Sequence, residues 1–417
     1  MKILLYGINF APELTGIGKY SGEMVEWLVQ QGHEVTVVTA PPYYPQWQIQ
    51  PPYSKWRFSR EDFHGATVFR CPMYVPKKPT AFKRLLHLAD FALSSLVGLF
   101  RARRQKPDVI IAIEPTLFCA PAALLFARLT GARSWLHIQD FELDAMFGLG
   151  FARAGLLQRF ALKVESWLMR RFDRVSSISD TMLKRIADKG VATENIRFFP
   201  NWADIENIRP LPGDRYYRDA WQLDDAIVVL YSGNIGKKQG LELILEAARH
   251  FADTPDVRFV IVGDGAHRQV LKHQARDLPN ILFRPLQPLE QLNPLLAMAD
   301  VHLVIQKSGA ADLVLPSKLT NILAVGGYSI ITADPGTALG DFCLACDTIA
   351  SRVDAENSVQ FIEALDEQIQ AVAERPPVNQ AARDYAEQFL AKDAILQQFE
   401  QDLAELVPDG KPTGQSS

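Results

Sequence analysis

Residues 227 to 240 read IVVLYSGNIGKKQG, an apolar run that stops at Gly233 and turns through Gly236, Lys237, Lys238 and Gly240 before a helical pattern begins. Glycines let the backbone approach a ligand, and the helix after such a turn offers unpaired N–H groups with roughly half a positive charge. With two lysines beside it, the junction can hold a phosphate, although an ordinary strand-to-helix turn with solvated lysines uses the same letters. A second glycine group, Gly16, Gly18 and Gly22 in TGIGKYSG, imitates a dinucleotide fingerprint. Two features oppose that reading: Asn9 to Thr15 separate it from the preceding strand, and the second strand ends at Thr39 and Ala40, where an acidic residue would hold ribose. An NAD-dependent dehydrogenase is therefore not expected, whereas a phosphate contact by the Gly16–Gly18 loop is.

Such turns need strands and helices to place them. Short apolar runs (Ile3 to Ile8, Val35 to Thr39, Val109 to Ile113, Ser134 to Ile138) alternate with helical patterns near 20–31 and 120–129. After a Pro-rich stretch at 200–213 the alternation restarts at Ile227. This predicts two α/β, doubly wound parallel-sheet domains, since 417 residues exceed one ordinary core. The expected boundaries are 1–205, 206–380, a helix over 381–406 that crosses back to the first domain, and a disordered tail from 407 to 417. Ligands of such sheets lie beyond the carboxyl ends of the strands, so two facing domains would enclose a cleft.

The start, MKILLYGINFAPE, reads as a first strand rather than a signal peptide, which with four cysteines points to the cytoplasm. Cys343 and Cys346 form a lone C-x-x-C without a second pair, so free thiols are expected. The net charge of −4 hides an asymmetry: residues 1–205 hold 26 Lys+Arg against 18 Asp+Glu, net +8, leaving −12 for the rest. A basic half suits an anionic membrane surface or a diphosphate. Nucleic acid is not expected as a partner, because no recognition module accompanies the charge. Between Lys77 and Lys106, eight basic residues and Asp90 surround the apolar stretch Leu85 to Phe100, which at 16 residues is short for a bilayer span and fits a helix lying in the headgroup plane. Residues 151–174 give a second candidate, with Phe160, Val164, Trp167 and Leu168 in an apolar stripe ringed by arginines.

The order and spacing of PELTGIGKY (12–20), HIQD (137–140), SSISD (176–180), FPNWAD (199–204), YSGNIGKKQG (231–240), VGDG (262–265) and PSKLTNILAVG (316–326) resemble the retaining glycosyltransferases of family 4, with the GT-B fold. The resemblance covers nearly the whole chain and is nearest to exopolysaccharide enzymes of the colanic acid type, with fucosyl transfer favoured. It implies a C-terminal domain that binds a nucleotide sugar through Gly233, Asn234, Lys237, Lys238, Gly263, Asp312, Ser317, Lys318 and Asn321. The family's usual G-R and K-G basic pair is replaced by Asn234 and Gln239, which favours Lys238 with Lys318 as the phosphate cations. Asn321 stands where the family has a ribose-gripping glutamate, and Asp312 could replace the earlier acid. The resemblance also implies catalysis without a metal cofactor, Asp140 and His137 as catalytic candidates, Gly16 and Gly18 near the acceptor, a lipid-linked saccharide acceptor, and peripheral association with the anionic inner leaflet. His137 lies two residues before Gln139 rather than next to Asp140, so a core histidine is the competing reading. A nucleotide-sugar 2-epimerase and a non-catalytic sugar-nucleotide-binding module are the alternative functions.

Overall fold

The computed structural model describes residues 1–407 apart from 14–15, 78–79, 115–116, 142–154, 255 and 309–316. The chain divides into two compact units, residues 1–200 together with 396 onward, and residues 201–395. In the first, the order is β1 (Lys2–Tyr6), α1 (Gly16–Gln30), β2 (Glu34–Thr39), β3 (Ser59–Phe63), β4 (Ala66–Arg70), α2 (Ala81–Ala102), β5 (Val109–Glu114), α3 (Ala120–Thr130), β6 (Arg133–Ile138), α4 (Leu156–Met169), β7 (Arg174–Ser177), α5 (Asp180–Asp188) and β8 (Ile196–Phe198). These strands form one sheet in the order β3-β4-β2-β1-β5-β6-β7-β8. Its pairs are parallel except for the β3–β4 hairpin, which alternation alone did not reveal. Runs such as VIIAIE of β5 are buried at every position, as a strand covered on both faces must be.

In the second unit follow α6 (Tyr216–Ala220), β9 (Ile227–Ser232), α7 (Glu242–His250), β10 (Val257–Val262), α8 (Arg268–Gln274), β11 (Ile281–Arg284), α9 (Leu292–Ala297), β12 (Val301–Val304), α10 (Ser317–Ala324), β13 (Ser329–Thr332), α11 (Ala338–Ala345), β14 (Ala350–Val353), α12 (Ser358–Gln370) and α13 (Gln380–Phe389). The strand order is β11-β10-β9-β12-β13-β14, all parallel. Apolar side chains of both sheet faces are buried in two clusters, one around Leu230, Val260 and Leu323 and the other around Tyr231, Phe259 and Phe361. Cys343 lies in that interior as a free thiol, pushed up to about 12 by burial, and is a poor source of thiolate.

The C-terminal helix expected over 381–406 is two helices. Leu390 leaves the helical path, and its carbonyl accepts from Ala203 N–H at 2.8 Å, so the chain pauses beside residue 203 before α14 (Lys392–Leu406) begins. From Leu396 onward α14 completes the first unit: Phe399 stacks on Phe199 at 4.1 Å and meets Trp135 edge-on at 5.1 Å, while Glu400 bonds His33 at 2.8 Å.

The length argument against a membrane span at 85–100 also needs correction. α2 has 22 residues, and Phe82–Gln105 meets the length and composition of a span. Its packing gives it another role, because Phe91, Ser95 and Gly98 face the sheet. Ser95 Oγ bonds Tyr6 Oη at 2.7 Å, and a Cβ added to Gly98 would lie 2.7 Å from Cys71 Sγ. The opposite face carries Phe82, Leu86, Leu93, Leu96, Val97 and Phe100, all exposed. That side holds a second apolar stripe along one helix.

Candidate functional site

In the second unit the expected donor residues gather where β9 and β10 end. The strands run in register to Ser232 opposite Val262, and past them Gly233 N–H donates to Val262 O at 2.9 Å and Ile235 N–H to Asp264 O at 2.8 Å. The two turns nest so closely that a Cβ on Gly263 would lie 1.9 Å from Gly233 O. Gly263, at φ +152°, thus shapes the Gly233 turn by having no side chain. Tyr231 Oη donates to Asn234 O at 2.7 Å, which braces the turn from below. Lys318, on the first turn of α10, brings its Nζ to 4.8 Å from the Tyr231 ring centroid, and its Cδ to 3.9 Å from where a Gly233 Cβ would stand. Gly233, Asn234, Gly263 and Lys318 therefore meet at one strand end, with Asn321 three residues further along α10 on Lys318's side. Lys237 is exposed in the short 3-10 turn Lys237–Gln239, and Ser317 opens α10. Asp312 and the side chains of Lys238 and Ser317 lie outside the described residues.

One expectation changes here. At the start of α7 two first-turn N–H groups are already engaged, Leu243 donating to Gly240 O at 3.2 Å and Ile244 to Leu241 O at 3.0 Å, and the Glu242 carboxylate of the same turn bonds His267 Nε2 at 2.8 Å. Burial pushes the Glu242 carboxyl up, but its own backbone N–H, His267 and Lys307 outweigh this and hold it below the usual range. An anion at this strand end would therefore meet the Gly233 turn and the Lys318 ammonium rather than the α7 terminus. Tyr231 and Glu242 were not singled out in the sequence, although Tyr231 stands inside YSGNIG.

The first unit has a pocket of about 210 Å³ at the corresponding ends of β1, β2 and β6, lined by residues including Asn9, Gly16, Tyr43, Trp47, Arg84, His87 and Asp140. Asp140, exposed just beyond β6, and Gly16, at φ +61°, thus line one cavity. Gly18 does not belong to it as a ligand group. It faces the preceding loop inside α1, where a Cβ would come within 2.5 Å of Glu13 Oε2. Glu13, 5% exposed, accepts from the N–H groups of Tyr43 and Tyr44, each at 3.0 Å, and from Asn9 Nδ2 at 2.9 Å, and so fixes the loop that forms the pocket wall. Burial raises its pKa despite these donors.

His137 is a core residue rather than a member of that cavity. Strand periodicity sets it beside Trp135 on the face covered by Phe199 and Phe399. Its Nδ1 is 2.9 Å from Ser176 Oγ and its Nε2 2.9 Å from Gln139 Nε2, so both ring nitrogens are engaged; burial lowers its pKa to about 3. A neutral ring with two partners orients Gln139 and leaves Asp140 as the sequence-expected acid at the pocket. Arg84, Trp47 and His87 had no motif to mark them, since the fold alone brings 43–47 and 84–88 together.

The sequence matches two family models, a glycosyl transferase 4-like domain over residues 15–202 and glycosyl transferases group 1 over residues 215–340. It is 51% identical over 411 residues, 97% of this chain and 100% of the relative, to a protein named for colanic acid biosynthesis, the glycosyl transferase WcaI of Escherichia coli K12. Among solved structures, the fold is similar to sucrose-phosphate synthase from Thermosynechococcus elongatus (TM-score 0.73, 14% identity, covering 98% of this chain and 100% of that one). It is also similar to Anabaena HepE in complex with UDP (TM-score 0.69, 15% identity, 97% and 100% covered) and with UDP-glucose (TM-score 0.68, 16% identity, 97% and 100% covered). The two parallel-sheet units are those of the GT-B fold.

Proposed function

Because the chain belongs to the family 4-like glycosyltransferases and is an enzyme of that class, we propose that it moves a sugar, with retention, from a nucleotide-sugar donor to a lipid-diphosphate-linked oligosaccharide in exopolysaccharide assembly of the colanic acid type. GDP-fucose is the favoured donor. The observation that carries the reading is the Lys318 ammonium set beside the Gly233 turn, a cation and a close-approach backbone at one strand end. The nucleotide complexes of HepE and the naming of WcaI support the donor class and the pathway.

In the proposed reaction Lys318, with Lys238, stabilises the departing nucleoside diphosphate, so the positive field comes from the protein and no metal is required. As the sugar develops oxocarbenium-like character, the acceptor hydroxyl attacks from the face the diphosphate leaves, and the leaving phosphate takes the hydroxyl proton. Asp140, at the first unit's pocket, positions the acceptor. The enzyme works in the cytoplasm against the inner leaflet. The exposed stripe of α2 supports that contact, with Lys83, Arg101 and Arg103 also exposed on the same segment. So do exposed Phe160 and Trp167 on α4, where the Arg171 guanidinium lies 3.5 Å from the Trp167 ring centroid.

Thermal unfolding with a panel of nucleoside diphosphates and nucleotide sugars, run with and without a chelator, tests the reading. A selective shift that survives chelation is expected, largest for GDP and GDP-fucose. A shift only with UDP compounds would remove the fucosyl assignment, dependence on metal would remove the metal-free mechanism, and no shift at all would remove the donor site.

A further inference from the structure

The other end of the first unit's sheet holds a cavity outside the proposed reaction. Arg133 opens β6, Arg174 opens β7 and Asn195 leads into β8, so the cavity lies at the amino ends of these strands. At about 3.3 Å per residue, the length of β6 separates it from Asp140 by roughly 20 Å. Its volume is about 360 Å³, within the range of small-molecule sites, and Arg171 after α4 and Glu405 of α14 complete its wall.

The guanidiniums of this cavity are short of carboxylates. The Asp173 carboxylate is taken up by Ser134 N–H at 2.8 Å, Ser134 Oγ at 2.7 Å and Arg133 Nη1 at 3.3 Å. Glu405 and Asp402 pair with Arg197 instead, at 3.6 and 3.7 Å. Among the described residues, Arg171 and Arg174 pair with no carboxylate. Arg171 Nη1 donates to Trp167 O at 3.0 Å, and Arg174 Nη1 donates to Asp173 O and to Asn195 Oδ1, each at 3.0 Å. Asp402, its carboxyl pushed up by burial, acts on Arg174 only at longer range. Neutral oxygens satisfy hydrogens without balancing charge, and Arg174 Nε is buried with no hydrogen-bond partner. Such a group is costly, and an oxyanion supplies both the acceptor and the missing charge.

We infer that this cavity is a binding site for a phosphoryl anion: half-buried Arg174 takes the oxyanion in its planar fork, exposed Arg133 and Arg171 approach it from the rim, and Glu405 opposes it by like charge. The site is separate from the Gly233 turn and from the Asp140 pocket, and nothing in it depends on the sugar transferred. Soluble phosphate and a phospholipid headgroup both present such an anion, so the experiment has an arm for each.

Phosphorus NMR titration of inorganic phosphate is the soluble arm, on the full chain carrying Lys318→Ala so that the donor site contributes little. At constant ionic strength, Arg174→Gln is expected to weaken binding at least tenfold, Arg174→Lys to recover part of the loss, and Glu405→Gln to tighten binding about threefold. An unchanged Tm without phosphate shows that the fold survives. Where Arg174→Gln does not fold, Glu405→Gln and Arg133→Gln, whose side chain is 55% exposed, carry the test. Arg133→Gln should weaken binding. The lipid arm is co-sedimentation of the same variants with phosphatidic acid vesicles, against phosphatidylcholine. Binding in either arm that these substitutions move in the stated directions supports the site and names its source. Absence of binding in both arms, or binding that the substitutions leave unmoved, overturns the inference.

Discussion

Gly263→Ala is a single methyl group added at a place where the structure gives it no room. The new Cβ would stand 1.9 Å from Gly233 O, 3.0 Å from Gly233 C and 3.5 Å from Gly233 N, against an ordinary contact of 3.4–4 Å. About 1.5 Å of movement is needed to restore the oxygen contact, and the obstacle is backbone, not a side chain that can rotate away. Overpacking of this kind costs about 1–3 kcal/mol, and a side chain at φ +152° adds on the order of 1–2 kcal/mol. A total of about 3 kcal/mol in a unit of this size corresponds to a fall in Tm of roughly 6–12 °C. The displaced group belongs to the Gly233 turn, and a misplacement of about 1 Å at a positioned site can cost on the order of a hundredfold. We expect nucleoside diphosphate affinity, by calorimetry, to weaken at least tenfold. Gly213→Ala is the control, since Gly213 has φ +81° but nothing within 4 Å of an added Cβ. It should cost only about 1 kcal/mol and leave affinity alone. Equal Tm and equal affinity for the two variants would refute the nested-turn account.

Lys318→Ala should weaken nucleoside diphosphate binding by about 10- to 100-fold, as loss of one charge-assisted contact does, with the fold kept; unchanged affinity by calorimetry would remove it from the donor site. Asp140→Ala should cut turnover at least tenfold while donor affinity stays within about twofold, and steady-state kinetics with equal turnover would exclude it from catalysis. Buried His87, His137 and His302, lowered by burial to about 4, 3 and 4 from 6.5, stay neutral in the fold but take up protons when unfolded. Their contribution is therefore present above pH 6.5 and is lost as pH falls from 6.5 toward 4, by about 2 kcal/mol each at pH 5. Melting curves from pH 7 to 5 should fall, and a His302→Gln variant should fall less; parallel curves would contradict the burial argument. Replacing Lys83, Arg101, Arg103 and Arg104 by Gln should reduce co-sedimentation with anionic vesicles at least tenfold, since each basic residue near such a surface contributes about 1 kcal/mol. Equal sedimentation would reject membrane contact through α2.

Much of this arrangement was legible from local pattern. Continuous apolar runs marked β1, β2, β5, β9 and β10, because strands buried on both faces must read that way. The hairpin β3–β4 was not legible, since SREDF at 59–63 is mostly polar and lies exposed on the sheet edge. At the donor side the spacing of Gly233 and Lys318 carried enough of the family pattern to name both. Their meeting depends on how β9 and α10 pack, which periodicity does not encode. His137 and Gly18 show the converse. The first has the chemistry of a catalyst and the second the spacing of a phosphate loop, yet each faces a packed neighbour, and only tertiary burial distinguishes these roles. Trp47 stood far along the chain from Arg84 and His87, and nothing short of the fold could group it with them.

The place of α14 in the first unit has a further result for how the molecule is made. Trp135, His137 and Phe199 are synthesised early, but their aromatic cover, Phe399, arrives about two hundred residues later. Contacts of such separation form late, after a large loop-closure cost. The first unit on the ribosome therefore holds an apolar strip open until the second unit has been translated. A chain cut at the unit boundary would keep all eight strands of the first sheet and still lack its last layer.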